Sequence, residues 1–149
     1  MQPELAVKFE RFSDDIRHTM RIANREAKRH LQPLIDTPYL LVALVKEPTG
    51  LASAVLRQRG LTAHSARRVV YRAFPRQWSF HLLAKLPLSP LVEDVVECAV
   101  DYAVDEKHDA VGTGGILLAM IRRDRLTNKL LQSLSVVCME LEQALVKYL

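Results

Sequence analysis

IDTPYLLVALV (Ile35–Val45) lies 76 residues ahead of VGTGGILLAMI (Val111–Ile121), and the two stretches share one order of small, polar and apolar positions. The same offset of 76 carries Phe12–Pro48 onto Leu88–Asp124 without a gap. After one deleted residue the offset becomes 75, VLRQRGL (Val55–Leu61) falls over LLQSLSV (Leu130–Val136), and the register holds until Phe74 meets Leu149. Self-similarity at a fixed period marks a chain built from copies of one supersecondary unit. The expected organisation is a leader (1–11), a first repeat (12–74), a connector (75–87) and a second repeat (88–149).

Each repeat reads as four helices, which makes the fold class all-α. Ser13 is placed to cap the first, with Asp14 and Asp15 in the first turn against the positive end of the helix dipole. Ile16, Met20, Ala23 and Ala27 then recur at spacings of three and four, the helical period. Thr37 is expected to cap the second helix, with Pro38 at the position where a missing N–H costs nothing. Tyr39–Val45 is apolar almost throughout and predicts a helix enclosed by protein. A third helix stops at Gly60, suited to a left-handed C-terminal turn, and Thr62 caps a fourth. In the second repeat Ser89-Pro90 opens the first helix, Thr113 caps the second and Asp124-Arg125 marks the following turn. One such unit is small for a stable core, so the two are expected to pack together about a pseudo-twofold as one globular domain. The connector, PRQWSFHLLAKLP, is too apolar for a free linker, and Trp78, Phe80 and Leu82 are expected to lie on the repeats; the other reading makes them a docking element for another chain.

Composition excludes several function classes. Hydrophobic residues make up 49% and charged residues 26% of 149, which is globular rather than disordered. No apolar run reaches the roughly 20 residues that span a bilayer, and no secretory signal opens the chain, so the expectation is a cytoplasmic protein without a membrane partner. Cys98 and Cys138 sit among apolar neighbours and read as buried reduced thiols. The five histidines and two cysteines show no metal-ligand spacing, and no nucleophile, base and orienting group gather in sequence. No G-x-x-x-x-G-K-[ST] loop exists, which leaves no nucleotide site in this chain. No cofactor is expected, and no enzyme.

The residues now in hand resemble a known family, the Clp amino-terminal domain. That domain has two four-helix repeats, each opening F-[ST] with spaced alanines and later carrying G-T-E-H-[IL]-L-L-[AG]-L. Here FERFSDDIRHTMRIANREAKR (Phe9–Arg29) is similar to the start of ClpC-type proteins, and the later motif reads DTPYLLVAL (Asp36–Leu44) and GTGGILLAM (Gly112–Met120). The resemblance covers Phe9–Leu149. It implies a protein-binding module set ahead of ATPase rings, receiving substrates and adaptors. It also exposes a departure. The acidic residue after Thr37 and Thr113 is Pro38 and Gly114, and the His is Tyr39 and Gly115. In ClpC-type proteins those acidic positions help bind phosphorylated arginine. Neither Pro nor Gly offers a carboxylate, so the expectation is loss of that recognition while the motif keeps its structural role.

Charge divides between the copies. Residues 1–75 hold 13 Lys and Arg against 7 Asp and Glu, net +6; residues 76–149 hold 8 against 10, net −2. Arg17, Arg21, Arg25 and Arg29 fall four apart on the first helix, and their equivalents in the second copy are Glu93, Glu97, Asp101 and Asp105. One reading is two independent solvated faces; the other is that opposite rows meet, across the internal pseudo-twofold or between two molecules. The acidic copy and the absence of aromatics among the arginines argue against nucleic acid. The expected function is a non-catalytic protein-binding domain receiving substrates or adaptors of a Clp ATPase or protease, with self-association as a dimer a further partner. The alternative is a stand-alone structural or regulatory relative that modulates Clp ring assembly.

Overall fold

Among the described residues, four backbone hydrogen bonds tie the two repeats together, and they come in matched pairs. Val111 N–H donates to Arg11 O (2.8 Å) and Ser13 N–H to Val111 O (3.0 Å); at equivalent positions Ile35 N–H donates to Pro87 O (2.9 Å) and Ser89 N–H to Ile35 O (2.9 Å). Each pair makes an isolated parallel bridge, Phe12 with Val111 and Leu88 with Ile35. The segment that opens each repeat is thus held by the other repeat. That exchange is what a pseudo-twofold axis demands: if position i of one copy meets j of the other, j meets i in return.

The computed structural model describes residues 10–79 and 85–149, and among them it is all-helical. The helices are α1 (Asp14–Arg29), α2 (Thr37–Lys46), α3 (Leu51–Gln58), α4 (Ala63–Ala73), α5 (Pro90–Asp105), α6 (Thr113–Arg123), α7 (Arg125–Ser133) and α8 (Cys138–Tyr148). The order is four and four. The local causes repeat as well. Ser89 Oγ accepts from Val92 N–H (3.1 Å) with Pro90 beginning α5. Thr62 and Ser65 form a reciprocal capping box on α4. Left-handed residues recur at the repeat offset: Leu31 (φ 55°) with Lys107 (φ 58°), and Gly60 (φ 84°) with Ser135 (φ 62°).

Helices α2 and α6 form the centre. Leu40, Leu41, Leu44, Ile116, Leu117 and Met120 are wholly enclosed, and full burial of each such side chain is worth about 2 kcal/mol. Helix α1 lays Ile16, Ile22, Ala23 and Ala27 on α2, while α3, α4, α7 and α8 close the remaining sides. No single helix among the described residues is long and apolar enough to cross a membrane.

Two capping expectations shift by one residue. The caps of α2 and α6 are Asp36 and Gly112, and Thr37 and Thr113 are the first helical residues. Asp36 Oδ1 accepts from Thr37 N–H (2.8 Å) and from Ser89 Oγ (2.9 Å), so the aspartate displaces the threonine from the capping role. Ser13 occupies the cap position of α1, but its hydroxyl turns to Val111 O and the Asp15 side chain and caps no backbone N–H of the helix. The cysteines are free and half-buried rather than fully enclosed. Burial pushes both thiols up, which keeps them protonated and unreactive.

Candidate functional site

The sequence motif after each threonine lies in the core. Thr37, Pro38, Tyr39, Thr113, Gly114 and Gly115 are all buried. A Cβ at Gly114 would stand 2.7 Å from Leu51 Cδ2 and 3.3 Å from Leu149 Cδ2, so the space an acidic side chain needs is filled by two leucines. Tyr39 points inward as well. Its hydroxyl and His30 Nδ1 are hydrogen-bonded at 2.8 Å, and the His30 ring stacks on Tyr71 with centroids 4.0 Å apart and planes within 6°. Burial, with the nearby Arg76 charge, holds His30 below its ordinary pKa.

Thr113 reaches across the repeats. Its Oγ1 accepts from Ala52 N–H (3.1 Å) at the start of α3, whose own cap position, Gly50, has no side chain to offer. Glu47 completes that helix start: its carboxylate accepts from Gly50 N–H (2.7 Å), Thr49 N–H (3.1 Å) and Thr49 Oγ1 (2.8 Å). Burial alone would raise the Glu47 pKa; these bonds, with His18, outweigh it and hold the carboxyl below the usual range. In the second copy Asp124 accepts from Leu126 N–H (3.0 Å) at the start of α7. Thr37, the counterpart of Thr113, is consequently left with a buried hydroxyl that has no partner among the described residues.

The charged rows stand at the surface. Arg17, Arg21, Arg25 and Arg29 are exposed along α1; Glu97, Asp101 and Asp105 are exposed along α5, and Glu93 is half-buried. Among the described residues the ion pairs are His18–Glu47, Lys46–Glu26, Arg67–Glu26, Arg122–Glu142 and Arg123–Asp94, and none joins one row to the other. The internal meeting of the rows is not made. No three His, Cys, Asp or Glu side chains of the described residues gather as a metal site.

The connector departs from expectation. Trp78 does not lie on the repeats: it is 66% exposed. Its backbone is left-handed (φ 54°), and Ser79 N–H bonds to Leu31 O (3.0 Å), a turn that leaves the indole in water. Phe80 and Leu82 lie outside the described residues. The end of the connector does pack, with Leu86 buried and its N–H donating to Asn24 Oδ1 (2.8 Å).

One surface was missed by sequence reasoning. On and just before α8, Val137, Met139, Val146 and Tyr148 are exposed, Met139 at 71%. The signal lay in the repeat register. Thr62 and His64 of the first copy become Val137 and Met139 in the second, so apolar groups stand where the register calls for polar ones.

The family model of the Clp repeat (R) N-terminal domain matches residues 11–134. The chain belongs to that family. Among its Clp relatives, the ATP-dependent Clp protease ATP-binding subunit ClpA homolog of Guillardia theta is 31% identical over 114 residues, 76% of this chain and 14% of that protein. The chloroplastic chaperone protein ClpC1 of Oryza sativa subsp. japonica is 28% identical over 127 residues, 85% of this chain and 14% of that protein. The chain therefore spans about one seventh of the length of these curated Clp proteins. Among solved structures, the N-terminal domain of ClpD from Arabidopsis thaliana superposes with TM-score 0.81 at 21% identity, covering 94% of this chain and 95% of that one. The N-domain of ClpV in a complex with VipB peptide superposes with TM-score 0.70 at 17% identity, covering 98% and 94%. The architecture is that of a Clp N-domain built from two four-helix repeats.

Proposed function

We propose that the chain is a non-catalytic protein-binding domain of the Clp system, cytoplasmic, which receives substrates or adaptors for a Clp ATPase or protease. The observation that carries this reading is the near-complete correspondence in extent with isolated Clp N-domains, one of them a ClpV N-domain in complex with a peptide. Its surfaces support it: exposed Trp78 and exposed Val137, Met139 and Val146 offer apolar area of the kind exposed segments of client chains bind. The test is co-purification with a Clp ATPase or peptidase, followed by degradation or unfolding of an unstructured substrate with and without the chain. Stimulation that falls when Trp78 or Met139 is replaced by serine supports the reading. Absence from every Clp complex rejects it.

Phosphoarginine recognition at the two family motifs is lost in this reading, because Leu51 and Leu149 occupy the space beside Gly114 and Pro38 carries no charge. Isothermal titration with free phosphoarginine checks this. Micromolar binding abolished by substitutions beside Thr37 or Thr113 overturns it. The same closure favours a second reading, a regulatory relative that modulates Clp ring assembly without reading substrates. In the stimulation assay that version changes ring assembly and leaves substrate selection untouched.

A further inference from the structure

The two long surface helices carry opposite charge at equivalent places, and neither row is neutralised by the other within the molecule. Arg21 and Arg25 on α1 and Asp101 and Asp105 on α5 are exposed and take no ion-pair partner among the described residues. The spacing of four residues is the same in both rows, so both follow the ridge of a helix inclined by about 26° to its axis. Two such ridges line up when their helices cross at about 50°, the commonest helix-packing class. The pseudo-twofold relates α1 to α5, and a twofold dimer that sets α1 of one copy on α5 of the other makes the contact twice. Every basic row then meets an acidic row, and both rows of both copies are used. A separate acidic ligand would engage α1 alone and leave Asp101 and Asp105 unanswered. A basic ligand has the reverse defect.

We propose that the two rows are a self-association surface, with a second copy of the chain as its occupant through reciprocal α1–α5 contacts. Isolated exposed ion pairs are weak, but rows of them on two rigid helices form a network, and the attraction is screened as salt rises. The dimer is thus formed at low ionic strength and lost at high.

The experiment is sedimentation of the full chain at about 20 mM and about 500 mM salt, where the screening length falls from roughly 20 Å to a few ångström. Two variants accompany it, Arg21→Glu with Arg25→Glu, and Asp101→Arg with Asp105→Arg; all four positions are exposed, and far-ultraviolet circular dichroism verifies that each variant is folded. Each variant alone sets like charge against like and raises the dimer dissociation constant on the order of tenfold or more. Mixed together, they present an acidic α1 to a basic α5 and a basic α1 to an acidic α5, and the heterodimer forms. A monomer at low salt overturns the proposal. So does a dimer that both variants leave intact, or a pair of folded variants that fail to associate when mixed.

Discussion

Thr113 Oγ1 lies 3.1 Å from Ala52 N and accepts its proton, so a residue of the second repeat caps a helix of the first. Gly50 is the other half of that contact. A Cβ there would stand 2.2 Å from Thr113 Oγ1, closer than any side chain tolerates. The glycine at the α3 cap position and the borrowed hydroxyl are one device.

Replacing the two equivalent threonines should have unequal effects. Thr113→Val keeps the shape, removes the cap and leaves Ala52 N–H buried without an acceptor, costing about 1–2 kcal/mol. Thr37→Val removes a hydroxyl that has no partner among the described residues and should be neutral to slightly stabilising, within about 0.5 kcal/mol. Urea unfolding of the pair measures both; equal losses would refute the asymmetry. Gly50→Ala should cost more than either, because the added methyl meets Thr113.

Glu26 is buried and held by Arg67, with Nε–Oε2 at 3.0 Å and Nη2–Oε1 at 2.6 Å, and by Lys46 at 3.7 Å. Arg67→Met leaves a buried carboxylate with only the longer lysine contact, and about 3 kcal/mol of stability should be lost. Arg67→Met combined with Glu26→Leu should recover much of that, since the uncompensated charge is gone. A double variant as unstable as the single would show that packing, not charge, sets the loss.

Acid should unfold the protein through these same carboxylates. Burial alone raises the Glu26 pKa, but the Arg67 hydrogen bond and the Arg67 and Lys46 charges bring it below 4.5; Glu47 is lowered likewise. A depressed folded-state pKa contributes stability that is present above the unfolded value near 4.5 and lost as pH falls through the folded value. His30 acts in a higher window. Its folded pKa is also lowered, so the unfolded chain takes up the proton first and stability starts to fall as pH drops below about 6.5. Melting temperature measured from pH 8 to 3 should decline in two stages, and Glu26→Gln should flatten the lower one.

Lys107 and Ser135 hold left-handed backbone at repeat positions where the first copy has Leu31 and Gly60. A residue with a Cβ is strained there by about 1 kcal/mol, and glycine is not. Ser135→Gly should therefore raise stability by up to about 1 kcal/mol. Gly60→Ala should lower it by a similar amount, although an added methyl would meet nothing within 4 Å. Denaturant midpoints decide both signs.

The sequence was most informative where the chain answers to its own repeat. The helix order, the enclosed Tyr39–Val45 stretch and the caps at Ser89 and Thr62 follow from local residue chemistry, and the turn at Asp124 was legible though its capping role was not. What escaped depends on contacts across the repeats. Nothing near Gly50 says that its helix is capped from residue 113, and nothing near Thr113 says that its hydroxyl leaves its own helix. Trp78 escaped for the opposite reason: an apolar residue in an apolar connector reads as packed, and only the left-handed turn at its own backbone puts it in water. The α8 face was legible in principle, since Val137 and Met139 replace Thr62 and His64. Apolar residues at helical spacing pass unnoticed unless the two copies are set side by side.

The paired bridges at Phe12–Val111 and Leu88–Ile35 make this one chain the equivalent of a swapped homodimer, each half completed by a segment of its twin. In such an arrangement the covalent link sets local concentration, which for a short tether is roughly millimolar, rather than supplying the adhesion. Fragment complementation follows from that. A single cut in the connector should leave two halves that stay together as a tight noncovalent pair, whereas either half expressed alone, stripped of the segment that finishes it, should fail to fold.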